Sequence, residues 1–241
     1  FLSSAAVNFT QSTTLYDGLS VVAAYQNISE DRIKRRFGKT DETHNEEAVQ
    51  VYSFNADLHK KIGGGHTLQY GFEGTHNEVQ SQGYDLTVST QSITDAVVQT
   101  RYPDGGSSMT TVAGYLRHKW NISNKLVLVD GLRYSHIALS ANFIDNSFFE
   151  LPATQFSDNF GALTGSVGLV YKPQRNTKLY TTVASGFRAP NIDDATKVFD
   201  PTDDIVMVPN LNIKPEYAYN AEIGWQQKMP LGFRFSADAY Y

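Results

Sequence analysis

Carboxylates are the residues of this chain best placed to do chemistry. Asp193, Asp194, Asp200, Asp203 and Asp204 crowd into residues 193–204, a density of hard oxygen atoms that suits a cation such as Ca2+. They lack the ligand order of an EF-hand loop and its closing Glu, so a solvated acidic loop accounts for them as well. The pairs Asp193-Asp194 and Asp203-Asp204 could also activate water in a hydrolytic site that had a histidine partner, but no histidine lies between Asn191 and Asn210. The six histidines, His44, His59, His66, His76, His118 and His136, are scattered and show no ligand spacing such as His-x-x-x-His. His44, in a long polar stretch, is the candidate ligand contact among them; the plainer reading of all six is as interfacial or wall-lining polar residues. Tyr84 and Tyr102 flank a segment containing Pro103-Asp104-Gly105-Gly106. Aromatics there could stack a planar ligand, or simply girdle a membrane interface. Arg32, Lys34 and Arg36 alternate onto one face, where they could hold phosphates by charge-assisted hydrogen bonds or form a solvated strand extension. There is no cysteine, hence no disulfide, thiolate metal site or cysteine nucleophile. No metal is specified by these patterns and no resident cofactor is called for.

The elements that position these groups are strands. Tyr217, Tyr219, Ala221, Ile223 and Trp225 point one way while Ala218, Asn220, Glu222, Gly224 and Gln226 point the other. The same alternation runs through Tyr52–Leu58, Leu68–Phe72, Leu163–Tyr171 and Phe233–Tyr241. One face is apolar and aromatic and the other small or polar, which is the pattern of an outer-membrane β-barrel with lipid outside and water or a plug inside. Leu126–His136 breaks the pattern by placing Asp130 in the outward set, and Leu19–Ile28 carries Val and Ala on both faces. Both are still read as strands. Mean hydropathy is −0.35, which would pass as soluble, but only alternate strand residues meet lipid. No apolar run approaches the ~20 residues of a membrane helix, so any crossing must be made by closed sheet.

Connections alternate in length. Short ones are expected at residues 12–18, 60–65, 122–125, 172–177 and 229–232, and long ones at 37–46, 85–108, 145–159 and 191–215. About ten segments lie between them, each near or beyond the ~9–11 residues that a tilted strand needs to cross the hydrocarbon. If the short turns are periplasmic, the first segment runs inward and the tenth outward. The net charge of −5, from 20 basic and 25 acidic residues, argues against nucleic acid as a partner.

Two stretches carry a family resemblance. Gly186-Phe187-Arg188-Ala189-Pro190-Asn191 resembles the FRAP box of the TonB-dependent outer-membrane receptors, and Pro209-Asn210-Leu211 followed by Lys214-Pro215-Glu216 resembles their NPNL and LKPE box. Tyr219 to Gly224 matches the strand that follows. Gly131-Leu132-Arg133-Tyr134 and Tyr70-Gly71-Phe72-Glu73 are similar to two further strand motifs of the family. Val208 stands where the first Asn of the second box is usual, and Asn212-Ile213 intervene before the Lys, so that box is a variant.

The resemblance implies an all-β, transmembrane, antiparallel up-and-down barrel of the plugged 22-stranded type. Residues 1–241 would supply about ten of its strands as one partial barrel domain without the plug. It implies a bacterial outer-membrane location and active uptake of a scarce nutrient, such as an iron–siderophore complex or heme, with no bond made or broken. The implied partners are the TonB–ExbB–ExbD energy complex, acting through a plug outside this chain, and outer-membrane lipid and lipopolysaccharide. The motif residues are Phe187, Arg188, Ala189, Pro190, Asn210, Leu211, Pro215 and Glu216; the resemblance implies that Arg188 and Glu222, inward on the strands flanking the loop, hold loop or plug geometry and do not touch ligand. Ligand contacts are expected in the outer loops, at His44, Tyr84, Tyr102, Asp193, Asp194, Asp203 and Asp204. Heme receptors of the family often place a histidine between the two boxes, and this chain has none there. The alternatives are a receptor-like barrel that docks a surface complex and a complete ten-stranded protease.

Overall fold

In the computed structural model every residue is described except 97, 145–153, 193, 195–198, 203–204 and 208–212; for 199–202 and 205–207 only the backbone is described. The chain runs β1 (Leu2–Phe9), β2 (Gly18–Lys34), β3 (Asp41–Gly63), β4 (His66–Thr87), β5 (Ser92–Asp95), β6 (Ser107–Asn121), β7 (Leu126–Asn142), β8 (Gln155–Gln174), β9 (Thr177–Arg188), β10 (Phe199–Thr202), β11 (Ile205–Met207), β12 (Glu216–Lys228) and β13 (Arg234–Tyr240). The main sheet has 11 strands in the order β1-β2-β3-β4-β6-β7-β8-β9-β12-β13, with β5 paired to β4 alone. Consecutive strands are antiparallel neighbours throughout this path, the up-and-down meander that the alternation demands. Among the described residues helix is confined to a 3-10 turn at Pro230–Gly232 and to positions 192 and 194, and no helix is long and apolar enough to cross a membrane.

The two faces are as different as the sequence requires. On the outer one, large apolar side chains stand in rows with nothing over them: Leu132 is 59% exposed, Val183 61% and Ile223 65%. In water that band would cost heavily, because apolar surface is worth roughly 25 cal/mol per Å²; in a bilayer it is the part that lipid solvates. On the inner face polar groups pair across strands. Arg133 bonds Glu73, Tyr115 donates to Asp57, and Arg117 donates to Gln69 at 2.6 Å. Aromatics gather at two levels of the outer face. Trp225 and Phe235 lie 5.2 Å apart toward the short turns, and Tyr25 and Tyr52 lie 5.0 Å apart toward the opposite end, as expected of interface girdles.

Asp130, which breaks the alternation, is accommodated on the outer face by two histidines. It sits opposite His118 in the β6–β7 register and accepts a 3.0 Å bond from His118 Nδ1, whose Nε2 lies 2.9 Å from His66 Nδ1. The carboxylate can only accept, so His118 donates from Nδ1, and its Nε2 and His66 Nδ1 share one proton between them. The His66 ring also stacks on Trp120 at 5.0 Å, so the polar trio is satisfied among itself beside an interface aromatic.

Short turns all fall at one end of the sheet and long connections at the other, but strand reaches into every expected long loop: β5 lies within 85–108, β8 begins at Gln155 within 145–159, and β10 and β11 lie within 191–215. Residues 37–46 were expected to be a long loop, yet β3 begins at Asp41 and pairs with β2 up to Lys34↔Thr43. The connection is therefore only residues 35–40. Asp41–Glu47 is polar on both faces, so it has no apolar alternation to mark it as strand, but the ladder continues because backbone pairing does not need an apolar face once the strand has left the bilayer.

Candidate functional site

At the long-connection end the inner face turns apolar. Ile137, Leu139 and Ala141 of β7, Phe156 and Phe160 of β8 and Ile192 after β9 form a buried cluster, against which Tyr102, Met109 and Ile213 pack. Small-polar alternation gives way here because connections fold over the inner wall and replace water. Residues 103–106 are stitched to the end of β7. The Gly105 N–H donates to the Asn142 carbonyl at 3.0 Å, the Asn142 N–H to the Gly106 carbonyl at 2.9 Å, and the Ile144 N–H to Asp104 Oδ1 at 2.8 Å. Two glycines allow it. A Cβ on Gly105 would lie 2.8 Å from the Asn142 carbonyl oxygen, and Gly106 has φ +87°.

Beneath this stitch lies a cavity of about 640 Å³, bounded by Glu30 of β2, Glu47 of β3, Ser81 of β4, Gly105, Gly106 and Ile144. Glu47 is its most unusual wall. It is only 5% exposed, and neither carboxylate oxygen has a hydrogen-bond partner among the described residues. Burial pushes its carboxyl above the usual range, against the opposing pull of Arg32 and Arg101. Among the described residues Ser81 in the cavity wall, and Ser107 outside it, likewise carry buried hydroxyls without a partner. A cavity of this size lined by unsatisfied acceptors and donors can take up a polar or cationic group from the mouth side.

The second construction is the base of the connection between β9 and β12. Arg188, last residue of β9, reaches Asp194 at 2.8 Å and Glu216, first residue of β12, at 3.4 Å. Asn191 and Asp194 bond reciprocally: the Asp194 N–H donates to Asn191 Oδ1 at 2.8 Å and the Asn191 N–H to Asp194 Oδ2 at 3.2 Å, a capping-box arrangement. Pro190 ends the pairing of β9 because it has no N–H. One guanidinium thus ties the first motif to the last residue of the second. Phe187 faces Tyr217 across the same strands with ring centroids 5.6 Å apart.

The anticipated ligand contacts separate into three groups. His44 and Tyr84 come together: His44 lies in β3, not in a loop, opposite Tyr84 of β4, and the rings stack at 4.8 Å and 6°. They occupy the outer face, away from the cavity. Tyr102 packs on the inner cluster with the Arg101 guanidinium 5.4 Å from its ring centre, so the two tyrosines do not form one platform. Asp194 is engaged by Arg188, while Asp193, Asp203, Asp204, Asn210 and Leu211 lie outside the described residues. Arg32 belongs to the inner row, where it bonds Glu30 at 3.0 Å, so it is not placed to hold lipid phosphates outside. Glu47 and the Asn142 stitch were missed by sequence reasoning. The parity of β3 would have sent Glu47 inward, but nothing local says that residues 103–106 cover it.

A family model described as "TonB dependent receptor-like, beta-barrel" matches residues 2–241. No curated protein sequence matches the chain. Among solved structures, the copper transporter OprC superposes with a TM-score of 0.77 at 15% identity, covering 99% of this chain and 38% of that one. The ferric citrate transporter FecA in its unliganded form gives 0.68 at 16% identity, with 95% and 32% covered. The hemophore receptor HasR of Serratia marcescens, a double mutant in complex with its hemophore HasA and heme, gives 0.65 at 13% identity, with 99% and 38% covered. At such identities the likeness establishes the fold, and the chain spans less than two fifths of the length of these structures.

Proposed function

The chain belongs to the TonB-dependent receptor β-barrel family, a family of bacterial outer-membrane transport receptors and not of enzymes, and from that premise we propose that it forms barrel wall and outer mouth for energised uptake of a scarce metal chelate. The protease alternative falls with the family assignment. The chain is read as one partial barrel domain, residues 1–241, of a larger plugged receptor, driven by the TonB–ExbB–ExbD complex through the plug. The cargo proposed is an iron–siderophore complex, with heme second because no histidine lies between the two motif boxes.

The observation that carries this reading is the inner wall at the long-connection end. Connections fold inward over the wall there, enclosing the cavity against Glu47 and resting Ile192 and Tyr102 on the apolar cluster. A structural barrel has no need of a covered inner mouth, whereas a receptor must present loops to the ligand and then move them. In this arrangement Arg188, Pro190, Glu216 and their neighbours set where the connection between β9 and β12 leaves and rejoins the wall. Asp194 is held in that base; Asp193, Asp203, Asp204 and Tyr102 remain the proposed contacts, and none of them makes or breaks a bond.

The test is uptake of labelled ferric siderophores and of heme by cells that make the receptor, with and without a working energy complex. Accumulation that requires both receptor and energy complex is expected for one cargo class. Equal accumulation without the energy complex would reject active transport.

A further inference from the structure

On the outer face of the same end, beyond the reach of the cargo path, three side chains from two strands converge. Asp31 of β2 sits opposite Glu46 of β3, with His44 two residues along β3 on the same face. One ligand atom from each lies within 4.8 Å of the others, the one such group of histidine and carboxylates among the described residues.

The imidazole is set up in a particular way. His44 is 9% exposed, and its Nε2 donates to Glu42 Oε1 at 3.1 Å. That bond engages the Nε2 proton and leaves Nδ1 turned toward Asp31. Among the described residues Nδ1 has no hydrogen-bond partner, and Asp31 Oδ1 lies 3.6 Å away, beyond hydrogen-bonding range. When Nδ1 carries no proton, its lone pair faces a carboxylate and is repelled unless a positive charge lies between them. Glu46 is likewise aimed: Tyr84 donates to its Oε1 at 3.0 Å and Gln82 to its Oε2 at 2.5 Å, while the Tyr84 ring stacks flat on His44 and locks its rotation. An imidazole whose far nitrogen donates to a carboxylate, and a ligand carboxylate that is itself hydrogen-bonded, are the supports that surround protein-bound metals.

We propose that Asp31, His44 and Glu46 form a binding site for a divalent transition ion of the Zn2+ class, facing away from the barrel interior and clamping β2 to β3 beyond the bilayer. One imidazole and two carboxylates suit a borderline ion better than Ca2+ or Mg2+, which take oxygen alone. Tetrahedral ligands about 2.1 Å from zinc stand about 3.4 Å apart, and rotation of Asp31, whose side chain is 45% exposed, closes the present spread. The ion would leave at least one coordination position open to water. It would be resident and not cargo: Asp31 and Glu46 border the cavity, but the three side chains stand on the opposite face of β2 and β3 from Glu30 and Glu47.

The competing account is an imidazolium held between Asp31 and Glu42 with no metal. Zinc titration of the protein purified from outer membranes in detergent and stripped with chelator separates the two, with binding followed by calorimetry and bound metal by mass spectrometry. One equivalent of zinc is expected, weakened at least tenfold in Asp31→Asn and in His44→Gln, little affected by millimolar Mg2+, and lost as pH falls and protons compete for Nδ1. Asp31→Asn guards against misfolding of the His44 variant, because Asp31 is the most exposed of the three. Absence of saturable zinc binding, or binding unchanged by both substitutions, or equal displacement by Mg2+, overturns the site.

Discussion

At the scale of single residues, Glu47 makes the sharpest prediction. Its folded-state carboxyl is held above the ordinary range by burial, so the folded protein keeps that proton to higher pH than the unfolded chain does. Stability contributed through Glu47 is therefore fully present below the ordinary carboxylate range and is lost as pH rises through the folded value. Glu47→Gln removes the charge and keeps the shape. The variant is expected to unfold at a temperature about 2–4 °C higher than the parent at neutral pH and equally at pH 4, measured by thermal loss of β-structure in detergent. A lower melting temperature at neutral pH would mean that Arg32 and Arg101 stabilise the carboxylate more than burial penalises it. The residue-level legibility of this chain follows the same physics. Tyr219, Ile223 and Val183 were readable because lipid imposes a two-residue period on them. The joining of His66, His118 and Asp130 was not, because it depends on the register of three strands, which no single stretch encodes. The pairing of His44 with Tyr84 was hidden in the same way.

Elements are held by two devices that substitutions can separate. Between β9, β12 and β13 the inner face is locked by a glycine: the Tyr180 ring lies across Gly224 and its hydroxyl bonds Asp238, so a Cβ on Gly224 would fall inside the ring. Gly224→Val should displace Tyr180, break that bond and cost about 1–3 kcal/mol, read as a lowered urea midpoint for refolding into detergent. An unchanged midpoint would show that the wall can shift to make room. The base of the connection between β9 and β12 should respond differently. Arg188 is 58% exposed at its side chain, and exposed ion pairs add little stability, so Arg188→Ala should leave the melting temperature unchanged. It should instead speed proteolytic cleavage within residues 189–215 several-fold, mapped by mass spectrometry. Equal cleavage rates would mean that the Asn191 and Asp194 reciprocal bonds hold the base unaided. Membrane-spanning portions of the strands were legible for the reason given above, and their continuations were not. Asp41–Glu47 reads as loop because strands beyond the bilayer have water on both faces and lose the alternation that betrays them.

For the whole molecule, the edges of the sheet decide the argument. β1 and β13 each have a neighbour on one side only, and every residue of both strands is exposed. A bilayer offers no donors or acceptors to an open edge, and each unsatisfied backbone group there costs several kcal/mol. The outer apolar band commits these ten consecutive strands to lipid, while the open edges forbid them to sit there alone. Both conditions are met together when these edges are paired, which the proposed larger barrel does with further strands. The chain covers only 32–38% of the lengths of the structures whose fold it shares. The protein extracted intact from outer membranes is therefore expected to have a mass well above the 26.8 kDa of this sequence, roughly threefold for a plugged 22-strand barrel. An intact mass of 26.8 kDa would require β1 and β13 to pair with other copies or with each other, and plug-gated uptake would then have no gate to act through.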